Sequence, residues 1–366
     1  MSGPRKKILI DAREFVHGRF TGIGRVLTGL LDALAATEFI KDIILAAYEA
    51  ELIPSHLKDR EKIEIKKVPR SFLASEKRLS NLTKEDFSLF ISPYPKLPLF
   101  GCHCAAIHMI HDILDLTHPA YKKRIKSSFD GFRLKAALRK ADLTWYDSSW
   151  SLKETEKYAG FSGRNAKVRY PGIGEKFSSV KSHNEEEVLK KYALEPGYML
   201  IIGNGLPHKN LGVILEIGDQ LTRPLVFVGV PEKNQSDWKS KYPNIEVTWI
   251  KHVTEDDLPP IIRGAFALAQ PSTAEGYGYP PLEAMACGVP ALVSDIPVLM
   301  ETTGGNAFSA HPNDSKAWLE AFRSLEDRSI YRYQIEHGLK WVEPLRGRRA
   351  WDRYISDIKE LLAERS

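Results

Sequence analysis

Short apolar runs alternate along this chain with stretches in which apolar residues return every three or four positions, the spacing of a helix that buries one face. The first run, residues 6–12, leads into the loop Thr21-Gly-Ile-Gly24, after which Val26, Leu27, Leu30, Leu31 and Leu34 fall at helical spacing. Further strand-like runs occupy 43–48, 63–68, 89–92, 105–110 and 143–147. Strands that alternate with helices predict a mainly parallel sheet covered by helices.

A second series begins after Pro171-Gly-Ile-Gly174, which interrupts regular structure and opens a polar stretch. Beyond it five runs, 198–203, 225–229, 246–250, 265–270 and 290–294, read as strands of a second doubly wound sheet. The predicted domains are 1–175 and 176–344. A last helix, about 345–366, places Trp351, Tyr354, Ile355, Ile358, Leu361 and Leu362 on one face and requires a surface to cover it. No short repeat is present, so the two series are two domains and not a solenoid.

Composition supports this division. The 366 residues are 43% hydrophobic and 27% charged, without a low-complexity tract, as expected of ordered globular domains. No apolar run reaches the roughly 18 residues of a membrane span, and residues 1–7 carry no signal-peptide core. Cys102, Cys104 and Cys287 make no disulfide framework, so a cytoplasmic protein is expected. Net charge is uneven: residues 1–175 hold 30 Lys+Arg against 21 Asp+Glu (+9), and residues 176–366 hold 22 against 26 (−4).

Much of the positive excess lies in 121–140. There Lys122, Lys123, Arg124, Lys126, Arg133, Lys135, Arg139 and Lys140 interleave with Ile125, Phe129, Phe132, Leu134 and Leu138. This is either a solvated helix face packed on its own domain or a basic amphipathic helix lying on an anionic membrane surface. A nucleic acid is not expected as a partner.

The window richest in chemistry runs from Pro271 to Asp295. A buried strand ends at Gln270, the loop Glu275-Gly-Tyr-Gly-Tyr279 follows, and Pro280 or Pro281 presets the backbone of a helix's first turn. A helix N-terminus at the carboxyl edge of a parallel sheet presents N–H groups to an anion. Glu275 and Glu283 frame the loop, and carboxylates bind the hydroxyl donors of sugars and riboses well. A single Glu near a helix N-terminus would only favour the helix dipole. Two at this spacing point to a ligand.

This window resembles the Glu-x7-Glu signature of glycosyltransferase family 4, retaining enzymes of GT-B architecture. Residues 281–290, 203–210, 253–258 and 304–312 are similar to family segments in the same order. The resemblance implies two Rossmann-like domains facing across a cleft, the first on the acceptor side and the second binding a nucleotide-diphosphate sugar, with the last helix returning to the first domain. It further implies that Glu275 contacts the donor sugar, that Glu283 binds the ribose, and that backbone N–H groups of Gly276, Tyr277, Gly278 and Tyr279 meet the diphosphate or the sugar. Lys209 matches a lysine that neutralises the diphosphate, while His208 stands where many members carry Arg. Gly203, Asn204 and Val253 complete the donor side. Gly22 and Gly24 resemble the family's glycine loop near the donor phosphates. His111-Asp112 resembles a pair whose histidine reaches the donor sugar, with the aspartate fixing its ring. Catalysis is thus assigned to His111 and Glu275.

Cys102, Cys104, His108 and His111 lack the spacing of a structural zinc site, and Thr254-Glu-Asp-Asp257 reads as a helix cap and not a metal clamp. Neither a metal nor a cofactor is expected. The resemblance points first to GDP-mannose, with a UDP-dependent glucosyl- or N-acetylglucosaminyltransferase as alternative, and to a glycan or lipid-linked glycan acceptor. A phosphorylase or epimerase on the same fold, or a non-catalytic nucleotide-sugar-binding protein, are the rivals. A nicotinamide enzyme fits poorly, because no complete dinucleotide fingerprint follows either first strand.

Overall fold

The computed structural model describes residues 6–16, 21–121 and 124–365, without the side chains of residues 124 and 125. The chain divides into two compact units, Met1–Gly172 with Gly347–Ser366, and Ile173–Arg346.

The first unit contains, among the described residues, strands β1 (Lys6–Asp11), β2 (Ile40–Ala47), β3 (Ile63–Lys67), β4 (Leu89–Ser92), β5 (Ala105–Ile110), β6 (Leu143–Tyr146) and β7 (Ala166–Val168). All pair in parallel in the order β3-β2-β1-β4-β5-β6-β7. β4, β5 and β6 are buried along their whole length, which is why they read as continuous apolar runs. The second unit contains β8 (Tyr198–Ile202), β9 (Leu225–Val228), β10 (Val247–Ile250), β11 (Ala265–Gln270), β12 (Ala291–Ser294) and β13 (Phe308–Ala310), parallel in the order β10-β9-β8-β11-β12-β13. The direction of winding reverses between β1 and β4 in one sheet and between β8 and β11 in the other, the positions where open parallel sheets bind ligands at their carboxyl edge.

β7 and β13 were absent from the sequence pattern. Each is a three-residue edge strand with little full burial, too short to stand out as an apolar run. The expected glycine loop also differs: the helix Gly22–Ala35 already includes Gly22 and Gly24, because Thr21 is its N-cap and accepts a hydrogen bond from Gly24 N (3.1 Å).

The helix Asp352–Glu364 completes the first unit. Tyr354, Ile358, Leu361 and Leu362 are buried, and Asp357 accepts from Trp145 Nε1 (2.9 Å), Lys167 Nζ (3.0 Å) and Arg169 Nε and Nη2 (both 2.8 Å). Just before it, Trp351 lies against Gly29 so closely that a Cβ there would meet its ring at 2.4 Å. That close approach explains a glycine inside a helix.

The basic segment forms the helix Arg124–Lys140. Lys122, Lys123 and the side chains of Arg124 and Ile125 fall outside the described residues. At 3.6 residues per turn its apolar residues fall on two roughly opposite faces. Leu134 and Leu138 turn into the core, whereas Phe129 and Phe132 turn outward, 40% and 66% exposed. Among the described residues no helix is long and apolar enough to cross a membrane.

Candidate functional site

The second unit gathers its polar groups on two loops that leave neighbouring strands at the carboxyl edge. The turn Pro207–Lys209 follows β8, and the loop 271–278 follows β11. They are tied by backbone: Thr273 N donates to His208 O (2.8 Å). Asn210, in the left-handed region at φ 50°, reaches across with its side-chain amide to Pro271 O (3.0 Å) and Pro312 O (2.6 Å).

This framework brings Lys209 and Glu275 together. Lys209 Nζ donates to Glu275 Oε1 at 2.6 Å, and the same oxygen accepts from Gln270 Nε2 and Ser272 Oγ, each at 2.6 Å. Burial alone would raise the pKa of this carboxyl. The charge and hydrogen bond of Lys209, the bond from Ser272 and the nearby His208 outweigh it and hold Glu275 below the ordinary glutamate value. Glu275 is therefore ionised at neutral pH, with Oε1 anchored by three donors.

Glu283 sits in the helix Tyr279–Ala286 and is buried. The N-cap of that helix is Gly278, at φ 92°, and no side chain caps it. A Cβ at Gly278 would stand 2.5 Å from Leu299 Cδ2, so both backbone and space require glycine there. Pro280 and Pro281 contribute no N–H, which leaves the donors at this end to residues 276–279 and Leu282. Gly276 is buried, and Tyr277 and Tyr279 are buried edge to face, with ring centroids 5.1 Å apart. His208 is buried beside Lys209. Gly203 follows β8 directly, and Asn204 is exposed, its Oδ1 accepting from Leu206 N (3.3 Å). Val253 stands apart, half-buried after the edge strand β10. At 254–257 the helix N-cap is Asp257 without a side-chain cap bond, and Thr254 Oγ1 closes the turn before it by accepting from Asp257 N (3.2 Å). Asp257 itself binds Lys191 (2.7 Å) and Tyr192 (2.9 Å).

In the first unit, His111 lies at the carboxyl end of β5. Its expected partner Asp112 is not the one the structure provides: Asp112 Oδ1 accepts from Leu114 N (2.9 Å). His111 Nδ1 instead meets Asp147 Oδ2 at 2.6 Å. The register explains this, since Ile110 pairs with Tyr146 and the next residues come opposite each other, while neighbours along a strand point to opposite faces. His111 Nε2 lies 3.0 Å from Pro93 O. Both partners are acceptors, so both contacts are hydrogen bonds only when both ring nitrogens carry hydrogen. Burial would lower the His111 pKa, but the Asp147 carboxylate, the Pro93 carbonyl and Asp112 raise it above the ordinary histidine value. When protonated, the ring finds an acceptor for each of its two N–H groups. His108, by contrast, is fully buried against Thr144, and burial pushes it down to about 3. Cys102 Sγ donates to Cys104 O. Among the described residues no group of three or more His, Cys, Asp or Glu is placed to hold a metal.

Gly22 and Gly24 lie in the first turn after Thr21, whose hydroxyl donates to Glu14 Oε1; Glu14 Oε2 accepts from Tyr94 OH (2.9 Å). A Cβ at Gly24 would meet only Thr21 Oγ1, at 3.7 Å, so packing inside the protein does not demand glycine. The residues missed from sequence are Gln270, Ser272 and Asn210 as anchors of the second unit's loops, and Asp147 as the partner of His111. The one signal was a glutamine closing an otherwise apolar strand.

Residues 184–341 match the family model described as glycosyl transferases group 1. The O-antigen chain mannosyltransferase RfbU of Salmonella typhimurium (strain LT2) is 31% identical over 164 residues, 42% of this chain and 45% of that protein. The O-antigen chain mannosyltransferase B of Escherichia coli is 28% identical over 246 residues, 64% of this chain and 65% of that protein. The chain thus spans about half to two thirds of the length of these curated relatives. Among solved structures, sucrose-phosphate synthase from Thermosynechococcus elongatus matches with a TM-score of 0.79 at 16% identity, covering 99% of this chain and 100% of that one. At that identity the likeness is one of fold, the two-unit α/β architecture of GT-B glycosyltransferases.

Proposed function

We propose that this chain, whose residues 184–341 form a glycosyl transferase group 1 domain, is a metal-independent, retaining glycosyltransferase that moves a mannosyl group from GDP-mannose to a hydroxyl of a glycan or lipid-linked glycan. The observation that carries the proposal is the convergence of Lys209, Gln270 and Ser272 on one oxygen of Glu275. A carboxylate clamped through Oε1 presents Oε2 in a fixed direction, as a group does that must hold sugar hydroxyls without moving.

The charges suit departure of a nucleoside diphosphate. Lys209 is a fixed cation beside the carboxylate, and its ammonium takes on leaving-group charge as the bond to the anomeric carbon breaks. N–H groups of 276–279, at a helix N-terminus, add their dipole to the same end. Gly278, required by its positive φ and by the closeness of Leu299, makes the turn that leads these N–H groups into the helix. Glu283 is assigned to the ribose hydroxyls. His111 is assigned to a donor hydroxyl: as an imidazolium it donates from Nε2 once that N–H leaves Pro93 O. Gly22 and Gly24 are assigned to close approach of a phosphate. Retention follows the family's stereochemistry, and no covalent intermediate is invoked.

The mannosyl assignment rests on relatives that are named mannosyltransferases of the O-antigen chain. The acceptor proposed with it is a glycan carried on a lipid, with the reaction at the cytoplasmic face of a membrane. The test is equilibrium binding of a panel of GDP- and UDP-sugars in chelator by the intact chain and by Glu275→Ala and Glu283→Ala. Binding of GDP-mannose, weakened by both substitutions, is expected; a panel in which no donor binds, or in which binding ignores both substitutions, overturns the proposal.

A further inference from the structure

Away from these groups, the first unit carries a surface that its own fold does not use. Phe72 and Leu73, at the start of the helix Phe72–Leu82, are 48% and 63% exposed, and Phe129 and Phe132, on the helix Arg124–Lys140, are 40% and 66% exposed. Large apolar side chains are among the residues most often buried, and a cluster of four in the open marks an interaction site. The cluster is held in place. The rings of Phe72 and Phe129 meet edge to face with centroids 6.1 Å apart, and the Arg133 guanidinium lies 5.8 and 5.9 Å from their centroids. Arg133 is itself buried and fixed by Glu76 Oε2 (2.6 Å) and Leu97 O (2.9 Å). Phe129 and Phe132, three residues apart, share one helix face.

The charged side chains described as exposed on these two helices are all positive. Lys77, Arg78, Lys126, Arg139 and Lys140 are exposed on the two helices. The carboxylates in the same helices are Glu76, buried and bonded to Arg13, Arg133 and Leu99 N, and Asp130, half-buried. Exposed aromatics on two helices whose exposed charges are cations match a bilayer bearing anionic headgroups, whose interface takes the rings while its surface potential attracts the lysines and arginines.

We propose that Phe72, Leu73, Phe129 and Phe132 are the insertion points of a surface that docks the protein on an anionic lipid bilayer, with the five flanking cations contacting the headgroups. The surface needs neither donor nor acceptor to bind, so it extends the lipid-linked-acceptor reading without resting on it.

Co-sedimentation of the full chain with vesicles of phosphatidylcholine alone and with phosphatidylglycerol added tests this. Binding only to the anionic vesicles is expected, reduced by high salt and by Lys126→Glu/Lys140→Glu. Leu73→Ser/Phe132→Ser, which touches only exposed positions, is expected to lower partitioning by about tenfold or more. Phe132→Trp keeps an interfacial ring and is expected to retain binding. Thermal melts and donor binding of each variant show that the fold and the donor loops are intact. No sedimentation with anionic vesicles, or sedimentation unchanged by the serine pair, overturns the proposal. So does lipid-free self-association that the serine pair abolishes, which would make a second copy the occupant of this surface.

Discussion

Replacing Lys209 by Met removes the ammonium from Glu275 while keeping most of the side chain's length. The two side chains are 17% and 11% exposed and 2.6 Å apart, so the change strands a carboxylate in a largely dry site. Breaking a buried pair costs roughly 3–5 kcal/mol, and the residual exposure favours the lower end, about 3 kcal/mol. For a unit of this size that corresponds to a fall in Tm of about 6–12 °C for the second unit's transition. The pH dependence gives the sharper test. In the wild type the folded Glu275 carboxyl lies below its unfolded value of 4.5, so its contribution to stability is present above that pH and fades as pH falls through the folded value. In Lys209→Met burial keeps pushing the carboxyl up while its strongest opposing influence is gone. The folded value then lies above the unfolded one, the native state keeps a proton that the unfolded chain has lost, and stability falls as pH rises. Thermal melts at pH 5 and pH 8 read this directly. A variant with wild-type Tm and wild-type pH slope would refute the account of the Lys209–Glu275 pair.

Four further substitutions probe other parts of the structure. Gly278→Ala, strained at φ 92° and in collision with Leu299, is expected to cost about 2 kcal/mol and to weaken donor binding, whereas Gly305→Ala, at φ 71° with nothing within 4 Å, costs only the backbone strain of about 1 kcal/mol; calorimetric melts and titration separate the two. Asp147→Asn removes the main influence that raises the His111 pKa, so an NMR titration of that ring should move from above 6.5 to below it. Wild-type stability from the charged ring is full below 6.5 and lost as pH rises through the raised value, and this decline should vanish in the variant. Asp357→Ala leaves Trp145, Lys167 and Arg169 without their shared acceptor and should lower the first unit's stability by about 3 kcal/mol, measured by urea unfolding.

The order of strands and helices was legible because both sheets are parallel and their strands are buried as continuous apolar runs. β7 and β13 were not, since three half-exposed edge residues leave no periodicity. The loop holding Glu275 and the turn holding Lys209 could be marked from spacing and family resemblance, but not the contacts that fix them. Gln270 stood out only as the polar end of a strand and Ser272 as loop polarity, until the turn after β11 brought both against Glu275. Asp147 is separated from His111 by 36 residues, and only the β5–β6 register brings them opposite. Asp112, adjacent in sequence, was the natural choice and was the wrong one. For the helix Arg124–Lys140 the 3.6-residue turn sets Phe129 and Phe132 roughly opposite Leu134 and Leu138, so when the core takes the leucines the two rings are left outside.

The most direct test of the central claim is turnover of GDP-mannose in chelator, with GDP release followed by chromatography and the anomeric configuration of the product by NMR, for the wild type and Glu275→Gln. GDP release with an α-configured product, reduced by about 10²-fold or more in a folded Glu275→Gln, is the predicted result. Absence of turnover with GDP-mannose and every other nucleotide sugar, or turnover that Glu275→Gln leaves unchanged, would contradict it.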